Sequence, residues 1–210
     1  MIRVLLVDDH PAIREGLKRI TEKTTDLRVT AEAGNAPEAL ESIRKSGCDV
    51  VLMDISLPGR GGLELLKEIK GEWPKLPVLV LSVHAEDQYG LRALMAGAAG
   101  YLCKDAAPDQ LIQAIRKVHS GGRYISPELG ELLAMEIDGD ITKPPHRTLS
   151  NREFRVLCMI ASGLSLTEIA NQLSLSVKTV STHRTRLLAK MKMKNNSELT
   201  RYALKQGLVD

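Results

Sequence analysis

Five residues with side chains suited to metal and phosphate chemistry follow short apolar runs of the sequence. Asp8 and Asp9 follow the first run, and Asp54, Ser82 and Lys104 stand at the ends of three later runs. Carboxylate oxygens are the ligands that Mg²⁺ prefers, and a carboxylate beside the metal can attack phosphorus and become an aspartyl phosphate. A lysine can pair with one phosphoryl oxygen, and a serine can donate a hydrogen bond to another. The set therefore predicts a magnesium site that can accept a phosphoryl group.

Each of these residues has a plainer interpretation when it is taken alone. An aspartate at the end of a strand is usually a helix cap or a loop residue, and a single lysine is usually a surface lysine. The joint appearance of all five at the same ends of different strands is harder to explain in that way. We favour the functional interpretation for the set.

The apolar runs alternate with segments of helical period over the first 123 residues. Arg28 to Ala33 alternates polar with apolar residues, which predicts a strand at the edge of a sheet. This alternation of strands and helices predicts a doubly wound α/β fold with a five-stranded parallel sheet, in which ligands bind beyond the carboxyl ends of the strands. The other four runs are rich in Val and Leu, as in strands buried on both faces, and span residues 3–7, 50–53, 78–81 and 101–103.

The chain after residue 147 has no strand pattern and predicts four helices. Ser165 and Ser176 are expected to cap the second and third helices, and only four residues separate these two. That separation is typical of a helix-turn-helix. Between the two parts, a linker over residues 124–147 is expected to contain one helix, which starts at Ser126–Pro127 and ends near Ile137. The four predicted C-terminal helices span residues 150–161, 166–172, 177–192 and 197–206.

The net charge of +3 is unevenly distributed along the chain. Residues 1–126 are neutral, residues 127–145 carry −4, and residues 146–210 carry +7. A basic C-terminal part suggests a polyanionic partner, most simply double-stranded DNA. The acidic linker residues, which include Asp138 and Asp140, are interpreted as a solvated helix face, with shielding of the basic part as the alternative.

Several classes of protein are excluded by composition. No apolar run approaches the roughly 20 residues that a bilayer requires, and the N-terminus lacks a signal-peptide pattern, so we expect a cytoplasmic protein without a membrane contact. The cysteines Cys48, Cys103 and Cys158 are far apart and show no CxxC spacing, which disfavours a disulfide framework or a zinc site. The sequence also lacks the GxGxxG and GxxxxGK[ST] motifs of dinucleotide and P-loop sites.

The third C-terminal helix is the candidate for reading DNA in the major groove. Val180, Leu187, Leu188 and Met191 share one side, which is expected to pack in a core. The opposite side carries short side chains flanked by cations, which suits contact with base edges and phosphates. An amphipathic helix with a merely solvated outer face is the alternative, and for His183 a positioning role is favoured. The candidate DNA contacts are Lys178, Thr179, Ser181, Thr182, His183, Arg184, Thr185 and Arg186.

Two sets of motifs resemble those of a bacterial family. VLLVDDHP, DVVLMDISLPG, VLVLSVHA and GYLCKD resemble the receiver domain of two-component response regulators, and LSNREFRVLCMIASGLSLTEIANQLSLSVKTVSTHRTRLLAKM resembles the LuxR-type helix-turn-helix domain. Together they are similar to response regulators of the NarL/FixJ class over nearly the whole chain apart from residues 127–147. The resemblance implies a CheY-like (flavodoxin-like) receiver at 1–123, a linker at 124–147 and a four-helix DNA-binding domain at 148–210.

The resemblance also implies a role for individual residues of the receiver. Asp54 is the implied phosphoacceptor, with a sensor histidine kinase as the donor. Asp9 is the implied direct ligand of Mg²⁺, Asp8 acts mainly through water, and the backbone carbonyl of Ser56 completes the protein ligands. Ser56 and His84 stand at positions that tune the lifetime of the phosphoryl group in this family.

In the same family, Ser82 corresponds to the switch hydroxyl, Lys104 to the phosphate-binding lysine and Tyr101 to the rotating aromatic residue. An ordinary aromatic at the sheet edge is the alternative for Tyr101. In the DNA-binding domain, the base-reading positions correspond to Ser181, Thr182 and Thr185, and the last helix supplies dimer contacts.

The expected function is therefore that of a phosphorylation-dependent transcription regulator rather than an enzyme. Phosphorylation is expected to free the helix-turn-helix and to favour a homodimer on DNA. One alternative is an aspartyl-phosphate phosphohydrolase. Such enzymes need a second carboxylate two residues after the nucleophile, and this chain has Ser56 at that position, which counts against the alternative. The other alternative is a receiver that serves only as a dimerisation scaffold, independent of phosphorylation.

Overall fold

The computed structural model describes residues 1–59, 61–83, 86–137 and 144–209. The chain forms two compact units, Met1–Asp138 and Gly139–Asp210. Within the described residues, no helix is both long and apolar enough to cross a membrane.

The first unit is built on a five-stranded sheet in which every pairing is parallel. The strand order is β2-β1-β3-β4-β5, so β2 lies at an edge, as its alternating pattern predicts. Every residue of β3 and β4 is buried, as expected for central strands covered by helices on both faces. The strands are β1 Ile2–Val7, β2 Leu27–Ala33, β3 Val50–Asp54, β4 Val78–Ser82 and β5 Gly100–Cys103.

Helices connect the strands, and their start signals are visible in the sequence. Asn35 caps α2 by accepting the amide hydrogen of Glu38, and prolines stand in the first turns of α1, α2 and α5. Leu111, Ile115 and Val118 of α5 are buried against the sheet, as their spacing predicts. The helices are α1 Pro11–Glu22, α2 Ala36–Ser46, α3 Gly62–Glu72, α4 Glu86–Met95, α5 Pro108–His119 and α6 Pro127–Ile137.

The strand register brings the predicted chemical residues to one edge of the sheet. Val7 pairs with Met53 across β1 and β3, which places Asp8 beside Asp54. Ser82 pairs with Cys103 across β4 and β5, which places Ser82 beside Lys104. The carboxyl ends of these strands therefore bring together side chains that are up to 96 residues apart in the sequence.

The second unit is helical, and serines and an asparagine start its helices. Ser150, Ser165, Ser176 and Asn195 each accept the amide hydrogen of the residue three positions later. Ser165 and Ser176 are thus the caps that the sequence predicts. The helix bounds either agree with the predicted ones or differ from them by one residue; α7, for example, starts at Asn151 because Ser150 is its cap. The elements are a 3-10 helix Pro145–Thr148 and the helices α7 Asn151–Ala161, α8 Leu166–Leu173, α9 Val177–Met191 and α10 Asn196–Lys205.

Candidate functional site

The acidic residues at the carboxyl edge of the sheet share one lysine. The Asp8 and Asp54 side chains are each only 3% exposed, so their charges are costly without a partner. Lys104 Nζ lies 2.6 Å from Asp8 Oδ2 and 2.8 Å from Asp54 Oδ2 and donates a hydrogen bond to each. The lysine therefore compensates two buried carboxylates at once.

Two opposing effects act on the charge of Lys104. Burial by itself would lower the pKa of the ammonium group, because it removes the charge from water. The hydrogen bonds and charges of Asp54 and Asp8 together outweigh burial and raise the pKa above its ordinary value. Lys104 is therefore a fixed cation at neutral pH, available to pair with an anion that enters the site.

Asp9 completes an acidic cluster that fits a hard cation. Ligand atoms of Asp8, Asp9, His10 and Asp54 all lie within 4.8 Å of one another. Asp9 Oδ1 is buried and accepts no hydrogen bond within the described residues, although His10 Nδ1 lies 2.9 Å from it. A buried carboxylate oxygen without a donor, beside two more carboxylates, is the donor set that Mg²⁺ takes. The residues present therefore fit the metal.

Asp54 is held in place by backbone groups on its other side. Its Oδ1 atom accepts the amide hydrogen of Ser56 at 2.9 Å, which leaves Oδ2 toward Lys104. Gly62, the first residue of α3, lies directly against this turn and donates its amide hydrogen to the Ile55 carbonyl at 3.0 Å. The Ser56 carbonyl as a metal ligand stays a prediction, and His84 lies outside the described residues.

Ser82 and Tyr101 form the part of the site on the β4 and β5 side. Both side chains are fully buried, and the Tyr101 hydroxyl is hydrogen bonded to Ser82. Burial raises the pKa of Tyr101, and the Ser82 hydrogen bond opposes this only in part. The Lys104 amide also donates to the Ser82 carbonyl at 2.8 Å. Tyr101 is fully buried, and its role as the rotating aromatic residue stays a prediction, with an ordinary aromatic at the sheet edge as the alternative.

Sequence reasoning missed two contributors to the site. His10 Nδ1 lies 3.3 Å from Asp8 Oδ1 as well as close to Asp9, so it is part of the acidic cluster. The signal for His10 was its place directly after the two aspartates. The signal for Gly62 was the Gly61–Gly62 pair, seven and eight residues after Asp54, since paired glycines mark a close approach of two backbone segments.

The second candidate site lies on α9. Val180, Leu187 and Met191 are buried, as predicted for the core side, while Leu188 is only half-buried. Thr182 and Thr185 are exposed, and Ser181 is half-buried. The hydroxyls of Thr182 and Thr185 donate to the carbonyls of the residues four positions earlier, each at 3.0 Å. In this arrangement the two threonines offer acceptor lone pairs and methyl groups to the outside rather than donor hydrogens.

The predicted cations of α9 differ in what they contact. Lys178 and Arg186 are exposed. Arg184 Nε donates to Asn196 Oδ1 at 2.6 Å, so its guanidinium is turned toward the start of α10. His183 is half-buried, and burial followed by the charge of Arg152 lowers its pKa. Lys178 and Arg186 are therefore the cations of this set that are best placed for an external phosphate.

Both units match families of known proteins. Residues 4–116 match the family described as "Response regulator receiver domain", and residues 147–203 match "Bacterial regulatory proteins, luxR family". The response regulator UvrY of Escherichia coli (strain K12) is 41% identical over 209 residues, which cover 99% of this chain and 96% of UvrY.

Solved structures of RcsB are similar over both units. One is RcsB from Salmonella enterica serovar Typhimurium bound to promoter P1flhDC in the presence of the phosphomimetic BeF3−. It has a TM-score of 0.70 and 27% identity, and the match covers 96% of this chain and 97% of that one. Another is described as two RcsB dimers bound to two parallel DNAs, with a TM-score of 0.60, 27% identity and coverage of 96% of each chain.

The two family matches and the similarity to UvrY, on a chain with this fold, define a DNA-binding regulator rather than an enzyme. The chain belongs to the two-component response regulators of the NarL/FixJ class, with a receiver domain followed by a LuxR-type helix-turn-helix domain. This assignment excludes the phosphohydrolase alternative.

Proposed function

We propose that this regulator is switched by phosphorylation of Asp54 by a sensor histidine kinase. The observation that carries the proposal is the position of the Asp54 carboxylate. It is buried beside Asp8, and one oxygen is held by Lys104 Nζ at 2.8 Å and the other by the Ser56 amide at 2.9 Å. The family of receiver domains generally binds Mg²⁺ at such an acidic pocket, and we assign the metal in this chain to Asp8, Asp9 and Asp54, with the Ser56 carbonyl.

The chain's own groups account for the chemistry of the transfer. An Asp54 carboxylate oxygen forms the new bond to phosphorus while the bond from phosphorus to the donor imidazole nitrogen breaks, and that nitrogen keeps the electron pair. Bound Mg²⁺ would neutralise charge on the transferring group. Lys104 exchanges its contact with Asp54 Oδ2 for a phosphoryl oxygen, and the Ser82 hydroxyl donates to another. The hydrogen bond between the Ser82 and Tyr101 side chains is then broken, which changes the contacts between β4 and β5 beside the site.

Asp54→Ala is expected to abolish covalent phosphorylation. Intact mass would be measured after incubation of the full chain with Mg²⁺ and acetyl phosphate. A single phosphoryl adduct is expected on the wild type and none on the variant, because alanine has no oxygen to attack phosphorus. An adduct of equal yield on Asp54→Ala would place the acceptor elsewhere.

Asp49→Ala is the matched control for this measurement. Asp49 also lies beside a strand of the sheet, but its carboxylate pairs with Arg3 at 2.8 Å, far from the carboxyl edge that holds Asp54. The control is expected to acquire the adduct as the wild type does. If neither the wild type nor the control does so and the donor is not consumed, the receiver is a scaffold rather than a phosphorylated switch.

We further propose that α9 enters the major groove of double-stranded DNA and that a homodimer forms on DNA or upon phosphorylation. Thr182 and Thr185 are exposed at the centre of the helix, where short side chains allow close approach to base edges. Lys178 and Arg186 lie on either side of these threonines and would contact phosphates. Lys178, Thr179, Ser181, Thr182, His183, Arg184, Thr185 and Arg186 stay the proposed DNA contacts. Because the chromosome is the proposed target, the proposed location is the cytoplasm.

Removing Lys178 and Arg186 together is expected to weaken binding to any duplex. Each lost phosphate contact reduces the magnitude of the slope of log K against log salt concentration by about 0.9. The slope for the double alanine variant should therefore be smaller in magnitude by roughly 1.8 than that for the wild type. The measurement is fluorescence anisotropy with a random-sequence duplex at several salt concentrations. The control is Lys45→Ala with Lys67→Ala, which removes the same charge from exposed positions of the receiver. Equal slopes for both variants would contradict the assignment of α9.

A further inference from the structure

Helix α6 is held on α4 of the receiver by a polar and an apolar contact. The Ser126 hydroxyl accepts the amide hydrogen of Leu129 at 3.1 Å and donates to the carboxylate of Glu86. Leu129 is fully buried. A Cβ atom at Gly90 would lie 3.0 Å from each terminal methyl carbon of Leu129, so the glycine is what lets α6 approach α4 so closely. The helix predicted in the linker is therefore part of the first compact unit.

The residues before α6 are attached to the edge of the sheet. Tyr124 donates its amide hydrogen to Ala99 at 2.9 Å, and its carbonyl accepts the amide hydrogen of Tyr101 at 3.3 Å. Tyr124 and Gly100 thus form a short parallel bridge beside β5. The chain that leads from the receiver is bound along β5 before it enters α6.

The two contacts that hold residues 124–129 both involve residues close to Ser82, namely Glu86 and Tyr101. Glu86 is the first residue of α4 and follows Ser82 by four positions. Tyr101 is hydrogen bonded to Ser82 through its hydroxyl and to Tyr124 through its backbone. A displacement of Ser82 would therefore act on residues 124–129 from two sides.

We propose that residues 124–129 form a latch that holds α6 on α4 in the unphosphorylated receiver and releases it when Asp54 is phosphorylated. The inference rests on the proposed phosphorylation of Asp54. When Ser82 turns to the phosphoryl group, its hydrogen bond to the Tyr101 hydroxyl is broken and the start of α4 shifts. The Ser126–Glu86 hydrogen bond and the packing of Leu129 on Gly90 then weaken. Release of α6 changes the connection that leads to the DNA-binding unit.

Hydrogen–deuterium exchange of the full chain tests whether the latch contact holds α6. In the unphosphorylated protein, Leu129→Ala is expected to raise the exchange rate of the α6 amides about tenfold, because the buried contact is lost. Met135→Ala is the matched control on the same helix, since Met135 is 55% exposed. Equal exchange in α6 for both variants would overturn the proposal.

Gly90→Ala provides a second test that leaves α6 itself unchanged. The added methyl group should accelerate α6 exchange when Leu129 is present and have little further effect in the Leu129→Ala background, because the steric conflict is then absent. Independent effects of the two substitutions would mean that the residues do not hold α6 together.

The switching step is tested by the same exchange measurement after treatment with acetyl phosphate and Mg²⁺, with the adduct followed by mass. An adduct with faster exchange of α6 in the wild type, and no further acceleration in Leu129→Ala, is expected. An adduct with unchanged α6 exchange overturns the latch and leaves the phosphorylation of Asp54 standing. Absence of the adduct instead overturns the proposed phosphorylation, and the release step with it.

Discussion

Lys104→Met is expected to lower the free energy of unfolding of the receiver by about 3–5 kcal/mol at neutral pH without Mg²⁺. The substitution keeps an apolar stem of similar length but removes the ammonium that lies 2.6 Å from Asp8 and 2.8 Å from Asp54. Two buried carboxylates would then face each other without a cation. Urea unfolding of the full chain, followed in the receiver transition, measures the effect.

Two comparisons make the Lys104 prediction specific. Lys45→Met, at an exposed position paired with Glu41 on α2, should change stability by no more than about 0.5 kcal/mol. Added Mg²⁺ should stabilise Lys104→Met more than the wild type, because it neutralises the carboxylates that the lysine no longer neutralises. If Lys104→Met were as stable as Lys45→Met, the lysine would not be compensating these charges.

The pH dependence of the Lys104 contribution follows from the direction of its pKa shift. The pKa in the folded protein is raised, so the stabilising contribution is fully present below the ordinary lysine pKa and is lost as the pH rises through the higher folded value. The stability difference between the wild type and Lys104→Met that arises from the charge of Lys104 should therefore stay nearly constant from pH 7 to pH 9. A difference that falls steadily over this range would contradict a raised pKa.

Gly62→Ala is the second substitution with a large expected effect. A Cβ atom at this position would lie 2.5 Å from the Asp54 carbonyl oxygen, 2.7 Å from the Ile55 Cα and 2.9 Å from the Ile55 carbonyl oxygen. All three are backbone atoms, so the methyl group can be accommodated only if the end of β3 and the start of α3 separate. We expect a loss of about 1–3 kcal/mol in the free energy of unfolding.

The same displacement should move Asp54 out of its position between Lys104 and the Ser56 amide. The yield of the phosphoryl adduct in intact mass is therefore expected to fall at temperatures where Gly62→Ala is still folded. Gly71→Ala is the control in the same helix, because a Cβ atom there meets nothing within 4 Å. That change should leave the adduct unaltered and raise stability by up to about 1 kcal/mol. Normal adduct formation by a folded Gly62→Ala protein would show that the close approach is not needed to position Asp54.

Patterns along the sequence predicted which residues form the candidate site but not which contacts they make there. The ends of the apolar runs predicted that Asp8, Asp54, Ser82 and Lys104 would meet, because parallel strands align their carboxyl ends at one edge. The hydrogen-bond and ion-pair partners of these side chains could not be predicted in this way. Whether Lys104 would contact one carboxylate, both or neither depends on the packing of side chains from β1, β3 and β5, which are distant in sequence.

The proposed DNA-reading helix, α9, could likewise be predicted only in part. The period of apolar residues predicted which side of α9 is buried, and Val180, Leu187 and Met191 confirm it. The orientation of two cationic side chains of α9 depends on residues of other helices, which the pattern along α9 does not show. Arg184 is drawn to Asn196 of α10, and Lys190 to Glu153 of α7 at 2.6 Å. These contacts leave Lys178 and Arg186 as the exposed cations of the predicted set.

Patterns along the sequence were enough to predict the alternation of strands and helices along the chain, the caps Ser165 and Ser176, and the sheet edge where the acidic site lies. These features depend on periodicity and on hydrogen bonds between residues three or four positions apart, so they are visible along the chain. The tertiary fold alone established that Lys104 is shared by two carboxylates and that Gly62 lies against the backbone of Asp54. It also decided the docking of α6 on α4 through Leu129 and Gly90. These features arise from close packing and charge pairing between distant residues, which no local pattern records.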